Sequence, residues 1–113
     1  MTQEEKQLLF KDLCARLPYG VKVKCASEII TLNVNWLKVF QYHLDEIKPC
    51  LRPMSSMTEE EYKEWRYLYL PLPHDNEATE TQRRIDWLNA HHFDYRGLIP
   101  MRLALKALEG MYK

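Results

Sequence analysis

Glycine is scarce in this chain, three residues in 113, which leaves no glycine-rich loop to cradle a phosphate. No Gly-Xaa-Ser-Xaa-Gly stretch occurs, so the sharp elbow that presents a hydrolase serine is missing. Cysteine is limited to Cys14, Cys25 and Cys50, widely spaced and without a Cys-x-x-Cys, which fits neither a disulfide framework nor a zinc ribbon. Neither charge sign is in excess. Sixteen Lys and Arg balance sixteen Asp and Glu, so no global field favours nucleic acid or an anionic membrane. No apolar run approaches the roughly 20 residues that span a bilayer. The opening Met1-Thr2-Gln3-Glu4-Glu5 is acidic and polar, unlike the start of a secretion signal. These absences lead to the expectation of a cytoplasmic, soluble protein with no membrane association and no cofactor.

What is present is enough for a packed core: 46% hydrophobic and 12% aromatic residues, in a chain long enough to fold as one domain. Thr2 to Glu5 reads as a capping box, followed by Leu9, Phe10, Leu13, Cys14 and Leu17 at helical spacing. Pro18-Tyr19-Gly20 ends that helix, with Gly20 suited to a left-handed turn. The period then switches to two: Val21, Val23 and Cys25 alternate with Lys22 and Lys24, a half-buried strand. Ala26-Ser27 is a tight turn, and Glu28 to Val34 a second strand. Cys14 and Cys25 are thereby placed in the core.

Asn35 can cap a helix from about Trp36 to Asp45, although Asn33 to Phe40 also suits a strand. Lys48 to Pro53 holds two prolines and reads as an edge strand or extended connector. Cys50, between Lys48 and Arg52, is expected to be the most reactive thiol. Met54-Ser55-Ser56-Met57 is an internal joint. A second capping box, Thr58 to Glu61, starts a helix to about Tyr69 with Tyr62, Trp65 and Arg66 along one face. Pro71 to Asn76 is a loop. Thr79 and Gln82 start a third capped helix, and Leu98 to Leu108 reads as a last short helix opened by Pro100. The fold expected is α+β: a single domain over 1–113, with an N-terminal α/β part (1–57) carrying a helix and an antiparallel hairpin, and a helical part (58–113).

The segment Asp86 to Ile99 packs three aromatics, a His pair, two Asp, an Arg and a Gly into fourteen residues. Trp87, Leu88 and Phe93 are assigned to the core. Asp94, Tyr95 and Arg96, with His92, are candidate partner-binding residues because they lie in a connection held by packed elements. Asp94 and Arg96 can equally pair with each other or with helix ends.

Three blocks, Lys11 to Val23, Ile47 to Thr58 and Asp86 to Ile99, together with the closing Glu109-Gly110-Met111-Tyr112-Lys113, resemble one family. It comprises short proteins of gut anaerobic bacteria, often associated with their phages and mobile elements, with no assigned function. The blocks cover about half the chain, in the family's order. The chain departs from the pattern at Cys50, where Tyr is usual, Arg102, where Gly is usual, and Leu108, where Pro is usual. The last two changes are expected to make the final segment more helical. The resemblance implies a cytosolic accessory protein acting with another macromolecule, and carries no activity or site with it.

Three functional classes follow. The first is a non-catalytic accessory protein that acts as a protein-interaction module, motivated by seven Tyr and three Trp, more than a core of this size easily hides. The second is a small nucleic-acid-binding accessory protein using Lys22, Lys24, Arg52, Arg83, Arg84 and Arg96. The third is a metal-dependent hydrolase built on His91, His92 and Asp94. Adjacent helical His side chains diverge by about a hundred degrees, however, and chelate poorly. Enzyme status is not expected.

Overall fold

The computed structural model describes residues 1–68 and 76–112. The loop expected over 71–75 and the helix position of Tyr69 lie outside them. The fold is α+β. Helix α1 (Gln3–Arg16) leads through a 3-10 turn into strands β1 (Lys22–Cys25) and β2 (Glu28–Thr31). Helix α2 (Val34–Phe40), strand β3 (Ile47–Leu51), helices α3 (Glu59–Tyr67) and α4 (Glu77–Ala90), and a two-residue strand β4 (Leu105–Lys106) follow. The sheet order is β2-β1-β3-β4, antiparallel except for the β3–β4 pair.

Local chemistry sets the helix starts. Both capping boxes form: Thr2 accepts from Glu5 N and Thr58 from Glu61 N, while each glutamate takes the cap's own amide. Gly20 turns left-handed at φ 68° where α1 ends. Helix α2 starts two residues before the expected point. Asn33, not Asn35, is its cap, accepting from Trp36 N at 2.9 Å, so β2 is cut short and the strand reading of 33–40 is excluded. That phase points Phe40 into the core and Leu37 against it. Asn76, not Thr79, caps α4.

Further expectations are corrected. The face of α1 that is buried runs through Leu9, Asp12, Leu13 and Arg16, which leaves Cys14 exposed rather than in the core. β3 is an inner strand, not an edge, in spite of Pro49. Ala107 N donates to Leu51 O, so residues 47, 49 and 51 turn their backbone groups toward β4. β4 begins opposite Cys50, and the proline nitrogen, which has no proton to give, falls beyond its end. The last helix does not form. Gly97 and Arg102 adopt left-handed φ of 76° and 64°, and between them the chain folds into turns closed by Leu103 N on Leu98 O. Leu98, Leu103 and Ala104 are thereby buried.

The core fills one face of the sheet with Val21, Val23, Leu32, Ile47 and Leu51, packed under Leu9 and Leu13 of α1 and Phe40 of α2. The opposite face carries Lys22, Lys24, Ile29, Thr31 and Lys48, and is open except at Cys50.

Candidate functional site

Three places in the fold gather polar or exposed side chains, and the richest is internal. Asp12 and Arg16 sit on the apolar stripe of α1, four residues apart and fully buried. Arg16 Nε donates to Asp12 Oδ2 at 2.8 Å, and Arg96 Nη1 donates to Asp12 Oδ1 at 2.7 Å. A single carboxylate therefore holds two guanidinium groups, one on each oxygen, so that both of its buried oxygens are hydrogen-bonded. Arg16 Nη2 continues to Phe93 O at 2.6 Å, tying α1 to the chain beyond α4. Both guanidinium groups lie against the Tyr95 ring, 5.3 and 4.7 Å from its centroid.

The four candidate partner residues are all committed to this clasp or its surroundings. Tyr95 donates its hydroxyl to Asn89 Oδ1 at 2.9 Å. Asp94 is buried and accepts from Leu98 N and Ile99 N, at 2.8 and 2.9 Å, closing the turn at Gly97. Arg96 is held by Asp12. His92 is buried in a left-handed conformation, φ 63°, with its ring stacked on Tyr112 at 3.6 Å. Burial, reinforced by the cations Arg16, His91, Arg52 and Lys22, pulls the His92 imidazole down to about 4. Sequence reasoning missed Asp12 and Arg16. The signal was present, since positions 9, 12, 13 and 16 follow the helical repeat, but charged residues on such a stripe are ordinarily read as its solvated flank.

The second place is a cleft of about 610 Å³ between the start of α3 and residues 106–112. Arg52 forms its polar floor, bound two-pronged to Glu61 at 2.7 and 2.6 Å. The Arg52 guanidinium lies 4.2 Å over the Phe93 ring, which stacks on Trp87, which in turn stacks on His91. The hydrogen bonds from Arg52, with those from Thr58, hold the Glu61 carboxyl down at about 2. This pair satisfies itself, and the Ser56 hydroxyl donates to Pro53 O, so the cleft offers shape more than reactive groups. His91 turns Nδ1 to Trp87 O, His92 faces Tyr112 and Asp94 faces backbone amides, so the three do not converge. Among the described residues no group of three or more His, Cys, Asp or Glu side chains is placed to hold a metal ion. The exposure of the thiols runs opposite to the expected one. Cys50 is 2% exposed and its thiol is pushed up by burial, against a weaker pull from Lys24 and Lys22, whereas Cys14 lies at the surface.

The third place is exposed. β2 is an edge strand, and its exposed Ile29 leads into α2, where Val34, Trp36 and Val39 stand in solvent, with Tyr42 beyond at 79% exposure. Trp36 rests one face on Phe40, centroids 5.4 Å apart. Residues 29–37 carry no charged side chain in a chain that is 28% charged. Of the basic residues considered for nucleic acid, Arg52 and Arg96 are committed to Glu61 and Asp12. Lys24 lies directly opposite Lys48 across β1–β3, a like-charge pair on the open sheet face. Among the described residues no helix is long and apolar enough to cross a membrane. Compared with family models, with curated proteins and with solved structures, the chain matches none.

Proposed function

We propose that this protein is a non-catalytic interaction module that docks a protein partner on the β2–α2 surface. One observation carries the reading: Ile29, Val34, Trp36, Val39 and Tyr42 are exposed beside a sheet edge, while Asp94, Tyr95 and Arg96 are bonded internally and His92 is buried. Leu32 N donates to Val21 O, so the backbone groups of Ile29 and Thr31 point away from β1. An extended segment of the partner adds to that edge by main-chain hydrogen bonds, and its apolar side chains rest on α2. β2 carries neither the lysine nor the proline that blunts an edge strand against pairing. The setting implied by the three sequence blocks, an accessory protein of gut anaerobes and their phages in the cytoplasm, is part of this proposal and rests on those blocks alone.

The test is capture of a partner from extracts of the source cells by wild type, Ile29→Lys and a Trp36→Ala/Tyr42→Ala double variant, with thermal unfolding as the control for folding. The reading expects a protein retained at about 0.5 M salt by wild type and lost from both variants. Retention by both variants overturns it. Capture of nucleic acid that vanishes with salt, and with Lys24→Ala/Lys48→Ala, would favour the open lysine face instead.

A further inference from the structure

Strand β3 has two different neighbours on the side facing β1, and a gap between them. Below the gap β1 pairs with it in the register Lys24↔Lys48 and Val23↔Pro49. Above it, residues 92–94 take over: Arg52 N donates to His92 O and Asp94 N to Arg52 O, both at 2.8 Å. Between lies Cys50. The Leu32–Val21 bond turns the backbone of Val21 toward β2, so by alternation the Lys22 amide points to β3. One more step of the register would bond that amide to the Cys50 carbonyl.

A side chain stands there instead. The Tyr112 hydroxyl accepts from Lys22 N at 2.9 Å and donates to Cys50 O at 2.5 Å, so a phenol replaces one rung of the ladder. The Tyr112 ring lies flat on His92, 15° from parallel. Cys50 belongs to the sheet face that is otherwise open, is itself buried, and lies near enough to Tyr112 to push its phenol up.

We propose that this notch is a tyrosine-binding site, that Tyr112 is its exchangeable occupant, and that a tyrosine side chain presented in trans takes the same place. The chemistry is selective. The notch asks one atom both to accept from an amide and to donate to a carbonyl, which a phenol does and a phenylalanine ring does not. The flat imidazole then demands an aromatic group behind the hydroxyl. Burial pushes the Tyr112 phenol up to about 12, so the hydroxyl keeps the proton it donates.

Exchange is favoured by how thinly the 107–112 segment is held. Beyond Tyr112 its hydrogen bonds are Ala107 N to Leu51 O and the internal turn Met111 N to Leu108 O. Leu108, Glu109 and Gly110 are exposed, and the 610 Å³ cleft lies between the segment and Arg52, so the strap bridges space rather than packing into it. The cleft beside the notch gives room for the backbone on either side of an incoming tyrosine.

The experiment uses the full-length Tyr112→Ala protein, with alkylation of Cys50 as the readout and acetyl-Gly-Met-Tyr-amide and acetyl-Gly-Met-Phe-amide as probes. Cys50 is expected to react at least about tenfold faster than in wild type. The tyrosine peptide should restore protection saturably, and the phenylalanine peptide should bind roughly 100-fold more weakly, since a site built for a hydroxyl rejects the analogue without it. Free N-acetyl-tyrosinamide protecting as well as the peptide would narrow the site to the phenol alone and still support the proposal. Equal protection by the two peptides, no protection by either, or unchanged Cys50 reactivity because the strands have closed on each other, overturns it. Should the alanine variant not fold, the peptides are titrated against full-length Tyr112→Phe, with the His92 ring resonances as readout. A saturable shift with the tyrosine peptide only is then expected, and its absence overturns the proposal.

Discussion

Removing the Asp12 carboxylate is the most informative single change in this protein. Asp12→Ala leaves Arg16, which is 0% exposed, without its counter-charge, and leaves Arg96 with only the Tyr95 ring. Arg96 keeps a route to solvent at 15% side-chain exposure, so most of the cost falls on Arg16. Arg16 retains the Phe93 carbonyl through Nη2 and gains nothing at Nη1, which is buried without a hydrogen-bond partner. Breaking a buried ion pair from one side costs about 3–5 kcal/mol. At about 3–6 °C per kcal/mol for a domain of this size, the midpoint of thermal unfolding should fall by roughly 10–30 °C. Arg96→Ala removes one charge-assisted bond while Asp12 still holds Arg16, and should cost about 1.5–3 kcal/mol. Because both changes act on one carboxylate, the double variant should be less destabilised than the sum by about 1–3 kcal/mol. Urea unfolding followed by circular dichroism, with the four proteins as a cycle, measures all three terms. A cost below about 1 kcal/mol for Asp12→Ala with an unchanged m-value, or strict additivity with Arg96→Ala, would refute the clasp as the tie between α1 and the 92–96 segment.

The remaining predictions concern pH, thiols and backbone. His92 titrates near 4 in the fold against an ordinary 6.5, so the unfolded chain takes up a proton first, and stability should decline as pH falls from about 6.5 to about 4. His92→Asn, which tolerates the left-handed φ, should flatten that slope in melts across the same window. Glu61, held at about 2 against 4.5, adds a second loss on acidification from about 4.5 toward 2, absent from Glu61→Gln. In the folded protein Cys14 should be alkylated before Cys50, as read by peptide mapping; Cys50 labelling first would contradict its burial. Arg102 is exposed at φ 64°, so Arg102→Gly should raise stability by about 0.5–1 kcal/mol, and a loss in urea unfolding would show that the Arg side chain makes a compensating contact.

What the sequence made legible was what its neighbours in the chain decide. Thr2 and Thr58 cap their helices because the partner glutamate is three residues away, and Gly20 closes the 3-10 turn after α1 in the left-handed conformation that glycine adopts freely. The β1–β2 hairpin is equally local. Features decided at a distance were hidden. A two-residue strand such as β4 has no periodicity to read, and it is also what makes β3 an inner strand, so in the sequence alone Pro49 reads as the mark of an edge. Asp12 and Arg16 become intelligible only once Phe93 and Arg96 arrive from about eighty residues away. The 86–99 segment stands out in the sequence by its composition. Asp94, Tyr95 and Arg96 are bonded inward to the turn at Gly97, Asn89 and Asp12, and His92 is stacked on Tyr112, connections that no spacing rule encodes.

The parallel pairing of β3 with β4 sets a timetable for folding on the ribosome. β1, β2 and β3 are close in sequence, so their antiparallel pairs can form as soon as residues 22–51 have emerged. The other side of β3 stays uncovered until residues 105–107 are made, and its Cys50 rung is not filled until Tyr112 follows. At about 5–20 residues per second that interval lasts roughly 3–12 s, during which a nascent sheet exposes strand backbone on both flanks. An order of synthesis that leaves β3 half paired is expected to make folding of the nascent chain depend on chaperones, and a circular permutant that places residues 97–112 ahead of α1 is expected to need them less.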